Sequence, residues 1–514
     1  IVFFATGTAI QMQFLSSRFD NLADAYKNYG FAYCLSNSFI DSGIDKPEDY
    51  SEEAVETINN TASEALAGDT TEEKHPNIIF LQLESFFDPN NIKDLYYSRN
   101  PIPNFTKMCE EGMNGYLNVA TVSAGTANTE FEILTGMSLQ YFGAGEYPYK
   151  TVLLEKTCES LANNLRRLGY STTAIHNNRA SFYGRNDVFP NLGFDTFISK
   201  EYMMDLEYTP VSWVKDKVLT KEIIGAMDAT EGQDFVFTIS VQGHGKYPTE
   251  FKGNEDYNVY VYGEGDESRI AGFSYLINQY YEMDQFLKDL TDALSAYDED
   301  TVLVVYGDHL PGLDLSAEDL KNDTLFQTAY VVWSNFDLQG EDQDLYTYQL
   351  GSKVLDLLGI HEGTMTRYQQ TAIGTENYSK GMEMLEYDML YGEDYSHNGE
   401  TPYVANELKM GIYDITISDA LLCKGSLYVF GDNLTEASSV YINGEFMKTS
   451  YYDSHMIVVR NAEIKAGDTI DVKQAGKNKK PLSSSNEIQF SGRDFEPLTI
   501  NEDRQDPPTE PLDS

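Results

Sequence analysis

The stretch that decides the fold is "DTVLVVYGDHL", residues 300–310. A near-continuous apolar, β-branched run closes on Gly307, Asp308 and His309. Such runs are expected where a sheet is covered on both faces, whereas a sheet with one wet face alternates. The same form recurs in "NIIFLQLESF" (77–86), "STTAIHNN" (171–178), "DFVFTISVQGH" (234–244) and "TAYVVWSN" (328–335). Between these runs lie helical patterns: "CESLANNLRRLGY" (158–170), "IAGFSYLINQYYEMDQFLKDLTDALSAY" (270–297) and "YQLGSKVLDLLGI" (348–360). Strand and helix alternate, which predicts an α/β domain with a mostly parallel central sheet flanked by helices.

The rhythm differs on either side of that domain, which the reading places at 76–392. Residues 1–75 are polar and mixed, with "DKPEDYSEEAVETINN" (45–60) reading as a loop followed by a helix. After 410, short alternating runs such as "SSVYINGEFMKTS" (438–450) are separated by turn signals, Asn443-Gly444 being a strong hairpin signal. A small all-β domain, an immunoglobulin-like sandwich, is expected over 410–498. The acidic, proline-containing stretch 499–514 reads as a flexible tail.

Length and charge narrow the function. At 514 residues the chain exceeds one typical core, so two or three domains are expected. A net charge of −46 repels nucleic acid and anionic lipid at long range, so an anionic substrate needs a local cationic feature. The four cysteines, Cys34, Cys109, Cys158 and Cys423, form no CxxC pair and are expected to be buried thiols. The opening "IVFFATGTAIQMQF" lacks an initiator Met and is far shorter than the roughly 20 apolar residues of a membrane span. The expectation is a soluble, trimmed part of a larger membrane protein.

In open α/β sheets, ligands bind outside the carboxyl ends of the strands. Here one apolar strand ends in Glu84, another in Asp308 and His309, and a third runs on to His244. Burying such groups costs several kcal/mol unless they are paired or metal-bound. A lone strand-end acid is more often a helix cap or an ion-pair partner; the Asp-His dipeptide is more pointed, because adjacent loop residues can turn toward one cation. Glu, Asp and His together suit Mn²⁺, Mg²⁺ or Zn²⁺. Three protein ligands leave a position at which a hydroxyl would lose its proton more easily. "VSAGTANTEFEILTG" (122–136) offers that hydroxyl, since Thr126 follows Gly125 at the mouth of a helix. A Thr there is commonly a helix N-cap. The small residues before it leave room for a substrate, and helix N–H groups can cradle a phosphate, which favours a nucleophile.

Five motifs in order, "NIIFLQLESF", "GTANTEFEILTG", "HNNRASFYGRNDVFPNLGFDTF", "SVQGHGKYP" and "YGDHLPG", resemble the lipoteichoic acid synthase family, sulfatase-like phosphoglycerol transferases of the alkaline phosphatase superfamily. The resemblance covers roughly residues 20 to 390. It implies an extracellular catalytic domain on the cell membrane of a Gram-positive-type bacterium, following membrane helices absent from this chain. It implies a divalent metal, Mn²⁺ in the first place, held by Glu84, Thr126, Asp308 and His309, with Thr126 as nucleophile. His244 carries over as a substrate-side, proton-handling histidine and Arg185 as a binder of the phosphoglycerol head, a task its fork suits. His176, Asn178 and Tyr183 join the substrate side, although His176 by itself reads as a core or supporting histidine. Asn178 and Tyr183 depart from the family's usual aspartate and tryptophan, which leaves the acceptor open.

The resulting expectation is transfer of glycerol phosphate from phosphatidylglycerol to a glycolipid, teichoic or glycan acceptor at the cell surface, with no nucleic acid as partner. The alternatives are a phosphoethanolamine transferase, a phosphodiesterase or sulfatase-like hydrolase, and a non-catalytic glycan-binding surface protein. A sulfatase needs Cys or Ser in C/S-x-P-x-R, and no cysteine here has that context.

Overall fold

The computed structural model describes residues 43–68, 71–143, 145–253, 256–476 and 480–495. Residues 1–42, Cys34 and the tail at 499–514 lie outside that set, as do the corresponding parts of the sequence reading. Two compact units divide between Ile412 and Tyr413.

The first unit holds a nine-stranded sheet. Its strands in chain order are β1 (Asn77–Leu83), β2 (Met113–Asn118), β3 (Ser171–His176), β4 (Thr196–Ser199), β5 (Asp234–Ile239), β6 (Thr301–Gly307), β7 (Gln327–Ser334), β8 (Leu345–Tyr346) and β9 (Lys409–Met410). Across the sheet the order is β8-β2-β7-β6-β1-β5-β3-β4-β9. All pairings are parallel except those of β7, which runs against both β2 and β6. The sequence reading gives β7 no direction. It turns back because residues 308–326 supply no α-helical crossover, which a parallel neighbour requires. Strand β2 ("MNGYLN") has mixed polarity and is only partly buried, so it carries no strong strand signal.

Strands β1 and β6 are buried at every position, as their apolar runs predict. On one face Ile79, Leu81, Leu303 and Val305 join the core built by the long helix Glu267–Ser295, through Phe273, Leu276, Tyr280, Met283 and Leu287. On the other, Phe80 meets Phe235 and Tyr306 edge-on. Water is therefore excluded from both faces, and chemistry is confined to the strand ends.

Helix Glu52–Leu66, N-capped by Ser51, belongs to this unit. So does β9, whose Met410 the sequence reading counts as the start of the β-domain, because two residues are too few to leave a periodic signal. Among the described residues no helix is long and apolar enough to cross a membrane.

The second unit is all-β, with two five-stranded sheets. One is built around Ser426–Asp432, paired antiparallel with Thr416–Cys423 and Met456–Val459; the other is built around Thr469–Ala475. The Asn443-Gly444 turn joins Ser438–Ile442 to Glu445–Phe446, with Asn443 and Gly444 both at positive φ, as this hairpin type requires. Of the three described cysteines, all free, Cys158 is buried while Cys109 and Cys423 are half-buried, so the expectation of buried thiols holds for one of them.

Candidate active site

The four central strands β6, β1, β5 and β3 are adjacent and parallel, so their carboxyl ends lie side by side. Leu83 pairs with Gly307, which sets Glu84 beside Asp308; His176, the last residue of β3, pairs with Ile239. Chain segments more than two hundred residues apart thus deliver their side chains to one row.

Glu84, Asp308 and His309 each offer a ligand atom, and these atoms lie within 4.8 Å of one another. All three are buried, at 4%, 0% and 3% exposure. The backbone makes the approach: Ser85, at a φ of 54°, donates its N–H to Asp308 Oδ1 at 2.7 Å, and the His309 N–H donates to the same oxygen at 2.8 Å. Asp308 Oδ2 is buried without a hydrogen-bond partner. His309 Nδ1 meets the Leu310 carbonyl at 3.0 Å, so an Nδ1–H tautomer leaves Nε2 as a lone pair, 3.4 Å from Asp308 Oδ2. An orphaned carboxylate oxygen, a second carboxylate and an available imidazole nitrogen fit a divalent cation.

The electrostatics agree. Burial, reinforced by the charge of Asp308, pushes the Glu84 carboxyl well up from its ordinary range. Burial pushes Asp308 up to about 7 against the pull of the Ser85 and His309 N–H groups. Burial holds His309 below its ordinary value. The cluster strains to shed charge, the state a cation would relieve.

Thr126 opens the helix Thr126–Thr135, whose ten residues are all buried. The N-cap is Gly125, not Thr126, so the capping reading of Thr126 fails. Gly125 sits at a φ of 106°, and a Cβ there would lie 2.6 Å from Thr121 Oγ1. Relieved of capping, Thr126 Oγ1 donates to Glu84 Oε2 at 3.3 Å, joining the cluster.

The substrate-side residues divide. His176 is buried, with Nδ1 at 2.9 Å from the Ile239 carbonyl and Nε2 without a partner. Burial, then the charge of Arg185, holds it well below its ordinary value, so it is a neutral imidazole with an acceptor nitrogen to spare. His244 is half-buried, and its ring lies 4.4 Å from that of Trp213. The turn that carries it presses on Glu84, since a Cβ on Gly243 would lie 2.1 Å from the Glu84 carbonyl oxygen.

Arg185 is fully buried in a two-pronged pair with Glu130, Nε to Oε2 at 3.0 Å and Nη2 to Oε1, while Nη1 reaches the Phe182 carbonyl at 3.1 Å. Burial opposes its charge, but Glu130 more than offsets this and holds the guanidinium above its ordinary value. Tyr183, at a φ of 59°, stacks on Tyr147 with centroids 5.6 Å apart, and Lys150 Nζ lies 5.0 Å from its centroid. Asn178 is half-buried and turns its side-chain oxygen to the Arg179 N–H at 2.9 Å. Sequence reasoning missed Glu130, Tyr147, Trp213 and Asp216. Glu130, four residues after Thr126, carried a signal: an acid one helical turn from the candidate nucleophile shares its helix face and, if buried there, needs a partner.

The sulfatase family model matches residues 76–360. A putative cyclic beta-1,2-glucan modification protein of Rhizobium meliloti is 30% identical over 328 residues, 60% of this chain and 49% of that protein. Lipoteichoic acid synthase 1 of Bacillus subtilis is 26% identical over 240 residues, 46% of this chain and 36% of that protein. The chain thus spans about half the length, or less, of these curated relatives. In fold it is similar to the Streptococcus pyogenes phosphoglycerol transferase GacH, solved in complex with sn-glycerol-1-phosphate, with a TM-score of 0.62, 19% identity, and coverage of 70% of this chain and 100% of that one. Because the family match takes in more than half of the residues, including Glu84, Thr126, Asp308 and His309, this chain belongs to the sulfatase family.

Proposed function

We propose that this chain transfers glycerol phosphate from phosphatidylglycerol to a cell-surface glycan or glycolipid, at the extracellular face of a membrane, through a covalent phosphothreonine-type intermediate on Thr126. The observation that carries the reading is the Thr126 hydroxyl, freed from capping, hydrogen-bonded to a buried carboxylate of the Glu84–Asp308–His309 cluster. In this reading the catalytic domain is the sequence-expected 76–392 within the first unit, and the second unit, beginning at Tyr413 rather than at 410, is an accessory β-domain.

In the first step Thr126 Oγ attacks phosphorus, the bond to diacylglycerol oxygen breaks, and diacylglycerol leaves with a proton. In the second an acceptor hydroxyl attacks phosphorus, the Thr126–phosphorus bond breaks, and Thr126 regains its proton. Glu84 accepts from the Thr126 hydroxyl in the resting site and is the candidate to take its proton. His244, beside the cluster, is the candidate to deliver or remove the proton at the other oxygen. The neutral Nε2 of His176 suits a glycerol hydroxyl. A divalent ion held by Glu84, Asp308, His309 and Thr126, Mn²⁺ before Mg²⁺ or Zn²⁺, would supply positive charge for the phosphoryl oxygens.

The name of the Rhizobium meliloti relative favours a glycan acceptor. Incubation with labelled phosphatidylglycerol vesicles and Mn²⁺ tests the reading. Diacylglycerol release and a glycerophosphoryl adduct on the Thr126 peptide are expected, and release of glycerol phosphate to water, with none passed to an added glycan, would make the chain a hydrolase.

A further inference from the structure

The segment Trp213–Asp216 lies outside the five motifs, yet it touches two of the strand-end loops. Asp216 is fully buried. Its Oδ1 accepts from Asn177 Nδ2 at 2.8 Å, from the Gln242 N–H at 3.2 Å and from the Val241 N–H at 3.3 Å. Its own N–H donates to Gln242 Oε1 at 2.7 Å. Its Oδ2 is buried without a hydrogen-bond partner, so the bonds to Oδ1 carry the whole anchorage. One side chain therefore links the loop after His176 to the turn leading to His244.

Three residues earlier, Trp213 lays its indole against His244, with centroids 4.4 Å apart. Its Nε1–H donates to the Gly245 carbonyl at 2.9 Å, the same oxygen that His244 Nδ1 contacts. The segment is anchored to the long helix Glu267–Ser295, where Glu282 binds Lys215 Nζ at 2.8 Å and Gln242 Nε2 at 2.6 Å. Burying a carboxylate is costly, and adjacent N–H groups in a turn need an acceptor that the turn itself does not provide.

We propose that Trp213–Asp216 is a clamp that sets the position and ring plane of His244. Asp216 is the positioning residue that locks the 240–242 turn to the Asn177 loop, and Trp213 holds the imidazole through its ring and the Gly245 carbonyl. The inference rests on the reading of His244 as the proton-handling group. The clamp leaves the nucleophile and its carboxylate to the cluster and governs how well the second oxygen is served, so its loss acts on kcat more than on KM.

The test compares Asp216→Ala, Asp216→Asn and Trp213→Phe in the whole chain by two readouts: turnover on phosphatidylglycerol vesicles, and the His244 ring resonances of histidine-labelled protein, assigned with His244→Gln. In Asp216→Ala the His244 resonances shift and kcat falls about 10²-fold, with KM within about threefold, the scale of a 1 Å misplacement. Asp216→Asn keeps an acceptor oxygen and restores the parent resonances and most of the turnover. Trp213→Phe keeps a ring but loses the N–H donor; the resonances shift and kcat falls about tenfold, one hydrogen bond's worth. The clamp is overturned if His244 resonances are unchanged in both Asp216→Ala and Trp213→Phe, if Asn is as damaging as Ala, or if the loss falls on KM alone. Should Asp216→Ala fail to fold, Trp213→Phe and Asp216→Asn decide the matter. If the parent chain transfers nothing from these vesicles, the transfer reading fails while the resonances still decide the clamp.

Discussion

Thr126 Oγ1 lies 3.3 Å from Glu84 Oε2, although the residues are 42 positions apart and sit on a helix and a strand end. This single bond joins the mouth of a buried helix to the carboxylate cluster. It turns a threonine that might have capped a helix into a hydroxyl beside a base.

Thr126→Ala should abolish transfer while leaving the fold intact, because the methyl-for-hydroxyl exchange removes a group that makes no capping bond. Turnover is expected to fall by about 10³-fold or more, and Thr126→Ser to retain a measurable part of it. Adduct detection on vesicles, paired with circular dichroism, checks this. Parental turnover in the Ala variant would mean that another group attacks phosphorus.

Metal binding should grow with pH. The Glu84 and Asp308 carboxyls are raised in the fold, Asp308 to about 7 from an ordinary 3.8. The folded chain therefore binds these protons more tightly than the unfolded one. Their contribution to metal-free stability is fully present below the unfolded values and is lost as pH rises through the folded ones. A divalent ion binds the deprotonated form, so the Tm gain on adding Mn²⁺ should be larger at about pH 8 than at about pH 5.5. Equal gains at both pH values, or an undiminished gain in Asp308→Asn, would exclude this site.

Arg185→Ala should destabilise the chain by about 3–5 kcal/mol, since it strands the buried Glu130 carboxylate. Arg185→Lys retains a charge but not both prongs, and should recover only part of the loss. Urea unfolding measures both. A loss below about 1 kcal/mol in the Ala variant would mean that Glu130 finds other partners.

Gly125→Ala should cost about 1–3 kcal/mol, because the residue holds a φ of 106° and its Cβ would press on Thr121. Since the strain falls one residue from Thr126, turnover should drop further than thermal stability implies. A parental Tm would refute the strain argument.

The sequence by itself determined the class of the fold. Runs such as 77–83 and 301–307 are apolar at nearly every position because a doubly covered sheet leaves no wet face, and that is legible without coordinates. It also marked where those strands stop, since Glu84, His176 and Asp308 are the ionisable groups that close each apolar run. Glu84, Asp308 and His309 could be singled out for the same reason, and Thr126 by its place after Gly125 at the mouth of a helix.

Only the tertiary structure decided which strand lies beside which. β1 takes both β5 and β6 as neighbours through pairings such as Ile78 with Phe235 and Ile78 with Val302, and no local signal encodes such long-range registers. The same holds for the direction of β7. The partnership of Arg185 with Glu130, and the reach of Asp216 to Asn177, Val241 and Gln242, were likewise hidden. A charged side chain announces in sequence that it needs a partner, but the partner is chosen by which segments the sheet brings within about 3 Å.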